Sequence, residues 1–194
     1  NPVFIEVAQR LGKEKFLEYI RAFGFGEPTG VDLPGEAYGL VMNPSVVGPV
    51  ELANMGFGQG VAVTPIQLVT AASAIANEGV LMEPRIAFAL KDQEGNTVHE
   101  FSPKVRRQVI SPQTARTTMQ ILETVVSEGT GSNAYVPGFR VAGKTGTAQK
   151  VVDGRYVQGK YVASFIGIAP ADDPRVVVLV VIDEPDPANY YGGQ

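Results

Sequence analysis

The chain has 194 residues, 44% hydrophobic and 19% charged, which is enough apolar material to bury a substantial core as one domain and rules out a disordered chain. Sixteen basic against twenty acidic residues give a formal net charge of −4, which leaves no basic face for nucleic acid. Without cysteine there are no disulfides, thiolate catalysis or zinc-thiolate sites, and no apolar run approaches the roughly 20 residues of a membrane-spanning helix.

Helices come first along the chain. Asn1-Pro2 supplies a cap and a first turn for a helix Pro2–Leu11 that Gly12 closes. A second helix is expected over residues 13–23, with Phe16, Tyr19, Ile20 and Phe23 on one stripe before Gly24. Residues 24–49 read as irregular. Thr64-Pro65-Ile66-Gln67 then carries an N-cap threonine, a first-turn proline and a glutamine at the capping-box position, so a helix should run to Asn77 or Glu78 and stop at Gly79. Residues 85–91 and 97–101 pattern as a hairpin joined at Glu94-Gly95-Asn96. Ser111-Pro112 opens another helix through about Val126.

Three strands follow, at residues 140–150, 161–169 and 175–182, linked by turns at Asp153-Gly154 and Asp172-Asp173-Pro174. Helices followed by an antiparallel meander make the fold class α+β. Residues 176–182 are almost continuously apolar, the pattern of a strand covered on both faces. No internal repeat or low-complexity tract is evident.

The chemistry concentrates in Val141-Ala142-Gly143-Lys144-Thr145-Gly146-Thr147-Ala148-Gln149, which puts one cation and two hydroxyls on a strand-like segment. Alternation sends Lys144 and Gly146 to one face and Thr145 and Thr147 to the other. Gly143 and Gly146 remove side chains where another backbone must come close. Such a strand suits a carboxylate-bearing, peptide-like ligand laid along a sheet edge. The same stretch, from Gly138 to Thr145, satisfies the phosphate-loop pattern G-x-x-x-x-G-K-[ST]. Its context is wrong for a nucleotide site: a Pro137-Gly138 turn precedes it, and Gly146 rather than a helix follows.

Other tempting residues read as structural. His99, the sole histidine, falls in the expected hairpin as a solvated strand residue. Asp172-Asp173-Pro174 is a turn before it is a calcium site, and Asp183-Glu184 with Asp186, among prolines, is a strand-ending loop rather than a catalytic carboxylate pair. Gly56-Phe57-Gly58-Gln59-Gly60 lacks the spacing and the preceding strand of a dinucleotide fingerprint.

A wider set of motifs resembles the class B penicillin-binding transpeptidases, especially the division and sporulation types. It comprises Gly30-Val31-Asp32-Leu33-Pro34-Gly35-Glu36, Phe57-Gly58-Gln59-Gly60 through Gln67, Glu128-Gly129-Thr130-Gly131, the Lys144-Thr145-Gly146 strand, Val162 through Pro170, and Tyr190-Tyr191-Gly192-Gly193. These cover nearly the whole chain. Lys-Thr-Gly belongs with Ser-x-x-Lys and Ser-x-Asn in that family's motif set, yet no serine here begins either of the other two.

The resemblance implies acyl transfer: a serine attacks the amide between the terminal D-alanines of a peptidoglycan stem peptide, and β-lactams acylate the same serine. It implies that Lys144 supplies positive charge near the substrate carboxylate. Thr145 and Thr147 offer it hydroxyls, Gly146 lies within the binding strand, and the Thr147 N–H is one of two oxyanion donors. Asn1 matches the last residue of Ser-x-Asn. Tyr190 and Tyr191 either line the cleft rim or pack beneath a further helix.

The resemblance further implies that the chain is the C-terminal portion of one transpeptidase domain, truncated at both ends. The three strands would then belong to a five-stranded sheet, and an N-terminal half would carry the nucleophile. Its partners would be stem peptides, β-lactams, that N-terminal half, and division or elongation machinery. It would use no cofactor and lie on the extracytoplasmic face of the bacterial cytoplasmic membrane. A serine β-lactamase, a β-lactam sensor domain and a nucleotide-binding protein are the alternatives.

Overall fold

Proline and glycine punctuate the helices of a chain that, in the computed structural model, is described over residues 1–152 and 154–194. It divides into two compact units, Asn1–Ala74 with Val80–Val109, and Ile75–Gly79 with Ile110–Gln194.

In the first unit α1 (Pro2–Leu11) and α2 (Lys13–Ala22) are separated by Gly12, whose φ of +81° breaks the helix as expected. The Asn1 side chain makes no capping bond; its carbonyl instead accepts from the Phe4 and Ile5 N–H groups at 3.0 and 3.2 Å. A helix that the sequence reading passed over, α3 (Pro49–Gly56), starts on Gly48-Pro49, with Glu51 accepting from the Gly48 N–H at 2.9 Å. Ala8, Leu17, Val47, Leu52 and Met55 form the core here. Leu17, 3% exposed, is more buried than the aromatic stripe expected to anchor α2.

Helix α4 (Pro65–Ala76) begins with the expected capping box: the Thr64 N–H donates to Gln67 Oε1 at 2.9 Å and the Gln67 N–H to Thr64 Oγ1 at 3.2 Å. It ends at Ala76, one or two residues early, just before Glu78 and Gly79 take φ of 52° and 84°. Gln67, 1% exposed, also donates from Nε2 to the carbonyls of Glu27 and Tyr38 at 2.8 and 2.9 Å, which ties the irregular 24–49 stretch to the helix.

Within that stretch the acidic residues serve structure. Glu36 accepts from the N–H groups of Thr29 and Gly30, Asp32 accepts from those of Ile86 and Ala87 at 2.7 Å each, and Glu27 pairs with Arg106 and Arg107. Of four short strands, β1 (Val80–Met82) pairs with β4 (Val105–Gln108), a pair absent from the sequence reading. Between them β2 (Ala89–Lys91) and β3 (Thr97–Glu100) form the expected hairpin around Gly95.

The second unit is built on α5 (Pro112–Ser127), capped by Ser111 Oγ accepting from the Thr114 N–H at 3.1 Å. Three strands follow, β5 (Ala142–Val152), β6 (Arg155–Ala169) and β7 (Val176–Asp183), in the antiparallel order β5-β6-β7. The expected α+β class and C-terminal meander are therefore what the chain adopts.

The first hairpin is longer than expected. Val151 pairs with Tyr156 and Val152 with Arg155, so residues 155–160 extend β6 although polar residues and Gly159 hid them as strand. The Asp153 half of the expected turn lies outside the described residues, and Gly154 has φ +74°.

Met119, Ala142, Ile168 and Ala171, with Ile75, Ala76, Leu122 and Val177 around them, form this unit's core on one sheet face. Arg140 fixes the entry to β5, with both nitrogens of its fork 2.7 Å from the two Glu123 oxygens and a third contact to Asp172 at 3.2 Å. Its apolar run notwithstanding, β7 is covered on one face only. Val176, Val178 and Val180 are 54%, 54% and 51% exposed while Val177 and Leu179 are half-buried, and β6 is its one neighbour among the described residues. Among the described residues no helix is long and apolar enough to cross a membrane.

Candidate active-site strand

Strand β5 carries the Lys144-Thr145-Gly146-Thr147 sequence in mid-strand, paired with β6 as Lys144 with Ile166, Thr145 with Phe165, Gly146 with Ser164 and Thr147 with Ala163. No helix opens at Lys144, so the phosphate-loop reading fails on geometry: there is no helix N-terminus to hold phosphates.

The glycines clear space for β6 more than for a passing backbone, which refines the expectation. A Cβ on Gly143 would lie 2.5 Å from the Phe165 ring and 2.8 Å from the Ile166 carbonyl oxygen, and one on Gly146 would lie 2.5 Å from the Ser164 hydroxyl. Both positions need glycine because the opposing strand's side chains fold across them.

Lys144 is exposed, and its Nζ donates to the Thr145 carbonyl at 2.8 Å. Thr145 and Thr147 are half-buried on the opposite face, each against a second segment. Thr130, in the turn that ends α5, has its hydroxyl 3.2 Å from that of Thr145. The Gly192 N–H donates to the Thr147 hydroxyl at 3.0 Å.

Residues 190–193 thus lie on the motif strand. The approach requires glycine: a Cβ on Gly192 would collide with the carbonyl oxygens of Gly146 and Ser164, and one on Gly193 with that of Thr130. The Asn133 amide donates to the Gly193 carbonyl at 2.7 Å and holds the loop from the other side.

Tyr190, expected as a ligand contact, stacks on Tyr161 and on Tyr191 with centroids 4.2 Å apart in each case, and its hydroxyl donates to that of Tyr191 at 2.8 Å. That hydrogen bond holds the Tyr190 phenol above its ordinary range. Asn1 is the N-cap of α1 and belongs to the first unit.

The residues read as structural are so placed. His99 is exposed on β3 with its ring edge-on to Phe101 at 4.7 Å. Asp172 and Asp173 pair with Arg140 and Arg175. Asp183 and Glu184 bind Lys150 at 2.8 and 2.9 Å, Glu184 also binds Lys160, and Asp186 caps a turn at Ala188. Among the described residues no group of three or more His, Cys, Asp or Glu could hold a metal ion.

Sequence reasoning missed the roles of Thr130, Asn133 and Tyr161. Thr130 lies within Glu128-Gly129-Thr130-Gly131, where nothing local marks its hydroxyl for a role, and Asn133 carries no signal of its own.

Comparison with known proteins covers the whole chain. The family model described as the penicillin binding protein transpeptidase domain matches residues 1–194. The chain is 53% identical over 194 residues to stage V sporulation protein D of Bacillus subtilis, which spans 100% of this chain and 30% of that protein. It is 42% identical over 188 residues to penicillin-binding protein PbpB of Mycobacterium tuberculosis, 92% of this chain and 28% of that one.

Among solved structures, penicillin binding protein 3 of Mycobacterium tuberculosis complexed with aztreonam superposes with a TM-score of 0.87 at 40% identity, over 94% of this chain and 42% of that one. The apo transpeptidase domain of Burkholderia pseudomallei penicillin-binding protein 3 gives 0.84 at 38% identity, over 98% and 55%. The chain therefore spans about a third of the length of these curated relatives.

Proposed function

Because this chain belongs to the penicillin-binding protein transpeptidase domain family, we propose that it forms part of a peptidoglycan D,D-transpeptidase and supplies the carboxylate-recognition edge of its active site. The observation that carries the reading is β5, a strand bearing Lys144 on one face and Thr145 and Thr147 on the other, with the 190–193 loop seated at Thr147. An ammonium and two hydroxyls are the donors that a terminal carboxylate, which only accepts, calls for.

In this reading a serine attacks the carbonyl between two D-alanines, the C–N bond breaks, and the terminal D-alanine leaves with a proton on its amine. An amine of a second stem peptide then displaces the serine from the acyl-enzyme. Lys144 supplies positive charge near the substrate carboxylate, the hydroxyls of Thr145 and Thr147 are offered to it, and Gly146 lies within the binding strand.

The Thr147 N–H is one of two donors to the oxyanion, a position where losing one donor costs on the order of 100- to 1000-fold in rate. Asn1 hydrogen-bonds the substrate amide and helps orient the general base, the lysine of Ser-x-x-Lys outside these residues, and Tyr190 borders the cleft. The nucleophile comes from sequence outside these 194 residues, since none of their serines opens Ser-x-x-Lys. β-Lactams, whose ring amide and carboxylate mimic D-alanyl-D-alanine, acylate the same serine. Such an enzyme works outside the cytoplasmic membrane, where its stem-peptide substrates and the division or elongation machinery meet it.

The reading is tested with the full-length protein by D-alanine release from a pentapeptide ending in D-alanyl-D-alanine. Release by the wild type with loss in Lys144→Ala supports it; release that survives Lys144→Ala overturns the role given to β5.

A further inference from the structure

We propose that Asn133 is a positioning residue for carboxylate recognition: by holding the Gly193 carbonyl it presents the Gly192 N–H to the Thr147 hydroxyl, which leaves that hydroxyl's proton for an anionic ligand. This rests on the reading of β5 as a carboxylate-binding edge.

A threonine hydroxyl has one proton to give and two lone pairs to accept with. A backbone N–H can only donate. The 3.0 Å bond from the Gly192 N–H therefore occupies a lone pair of Thr147 Oγ1 and leaves its proton uncommitted. A carboxylate, which has no proton to offer, needs that state of the hydroxyl. Left to itself the hydroxyl could donate to a nearby carbonyl and present a lone pair to the ligand, which would repel it.

Bringing the Gly192 N–H this close has a cost. Residues 192 and 193 come down close to the carbonyl oxygens of Gly146, Ser164 and Thr130, an approach that only glycine allows. The 2.7 Å bond from the Asn133 amide to the Gly193 carbonyl supplies a tether, one residue from the N–H that matters. Asn133 sits on the short turn Ser132–Ala134, and the Thr130 hydroxyl just before it lies 3.2 Å from that of Thr145. One segment, residues 130–134, thus carries both the tether behind Thr147 and the hydroxyl beside Thr145. Asn133 is exposed, so the core does not depend on it.

The test uses the full-length protein, benzylpenicillin, and benzylpenicillin methyl ester, which keeps the reactive ring and lacks the anion. Second-order acylation constants are measured for the wild type, Asn133→Ala and Asn133→Gln. The expected result is that Asn133→Ala slows acylation by the acid about 10-fold and by the ester less than about 2-fold, with Tm unchanged, while Asn133→Gln, which keeps a donor, recovers most of the loss. Equal slowing of acid and ester, or no slowing of the acid, overturns the role of Asn133 while the reading of β5 stands. A wild type that reacts with acid and ester alike overturns the carboxylate reading itself, and this proposal with it.

Discussion

The Gly192 N–H donates to the hydroxyl of Thr147, 45 positions earlier in the sequence, at 3.0 Å, so the 190–193 loop is part of the motif strand's own architecture. A methyl group at position 192 cannot be accommodated without moving that loop, because it would meet the carbonyl oxygens of Gly146 and Ser164. In the full-length protein Gly192→Ala should lower the rate of acylation by penicillin on the order of 100-fold, as misplacement by about 1 Å does elsewhere, while Tm falls little. An unchanged rate would show that the loop does not bear on the site.

Gln67 makes a contrasting prediction, about stability alone. Its buried amide satisfies the carbonyls of Glu27 and Tyr38 and the N–H of Thr64. Gln67→Leu fills the volume but strands those groups away from water, and should destabilise the first unit by about 3 kcal/mol. Chemical denaturation followed by circular dichroism reads this, and a loss below about 1 kcal/mol would mean that water replaces the amide.

The Glu123–Arg140 pair predicts an acid-side effect. The Arg140 guanidinium, hydrogen-bonded to it through two nitrogens, holds the Glu123 carboxyl below the ordinary glutamate range, despite partial burial acting the other way. A carboxyl depressed in the folded state contributes stability above its unfolded pKa and loses it as pH falls through the folded value. Wild type should therefore be more stable than Glu123→Gln at neutral pH, with the two curves converging below the usual carboxylate range. Arg140 is 55% exposed, so the difference should be small and shrink further in salt. Parallel curves across the acid range would contradict the assignment.

Much of this was legible from the chain. The Thr64–Gln67 capping box, Ser111-Pro112, Gly12 and the hairpin turn at Gly95 are local signals whose chemistry acts within four residues, and each element formed where they stand. Helix α3 was hidden because Gly48-Pro49 reads as a loop and its cap is supplied by Glu51 instead of a serine or threonine. The β1–β4 pair joins residues about 25 apart through strands of three and four residues, too short for alternation to register. The motif strand was found by composition, but what stands behind its threonines was not. Thr130 and Asn133 act on it through hydrogen bonds spanning 15 and 60 positions, and no sequence period encodes those.

The open face of β7 leads to a prediction for these 194 residues expressed alone. Val178, Val180 and Ile182 are each at least half exposed, and the strand's outer edge has no neighbour among the described residues. Size-exclusion chromatography with light scattering should show self-association rising with concentration. A monomer at high concentration, with β7 amides protected from exchange, would mean that the edge is satisfied in a way the fold does not suggest.

Covalent labelling by penicillin tests the central claim most directly. Full-length protein incubated with fluorescent penicillin should gain one adduct by intact mass, mapped by peptide digestion to a serine of a Ser-x-x-Lys motif outside the 194 residues. Lys144→Ala should slow its formation, and the 194-residue chain alone should gain none. An adduct on Ser45, Ser73, Ser102, Ser111, Ser127, Ser132 or Ser164, or a full-length protein that never labels, would contradict the account.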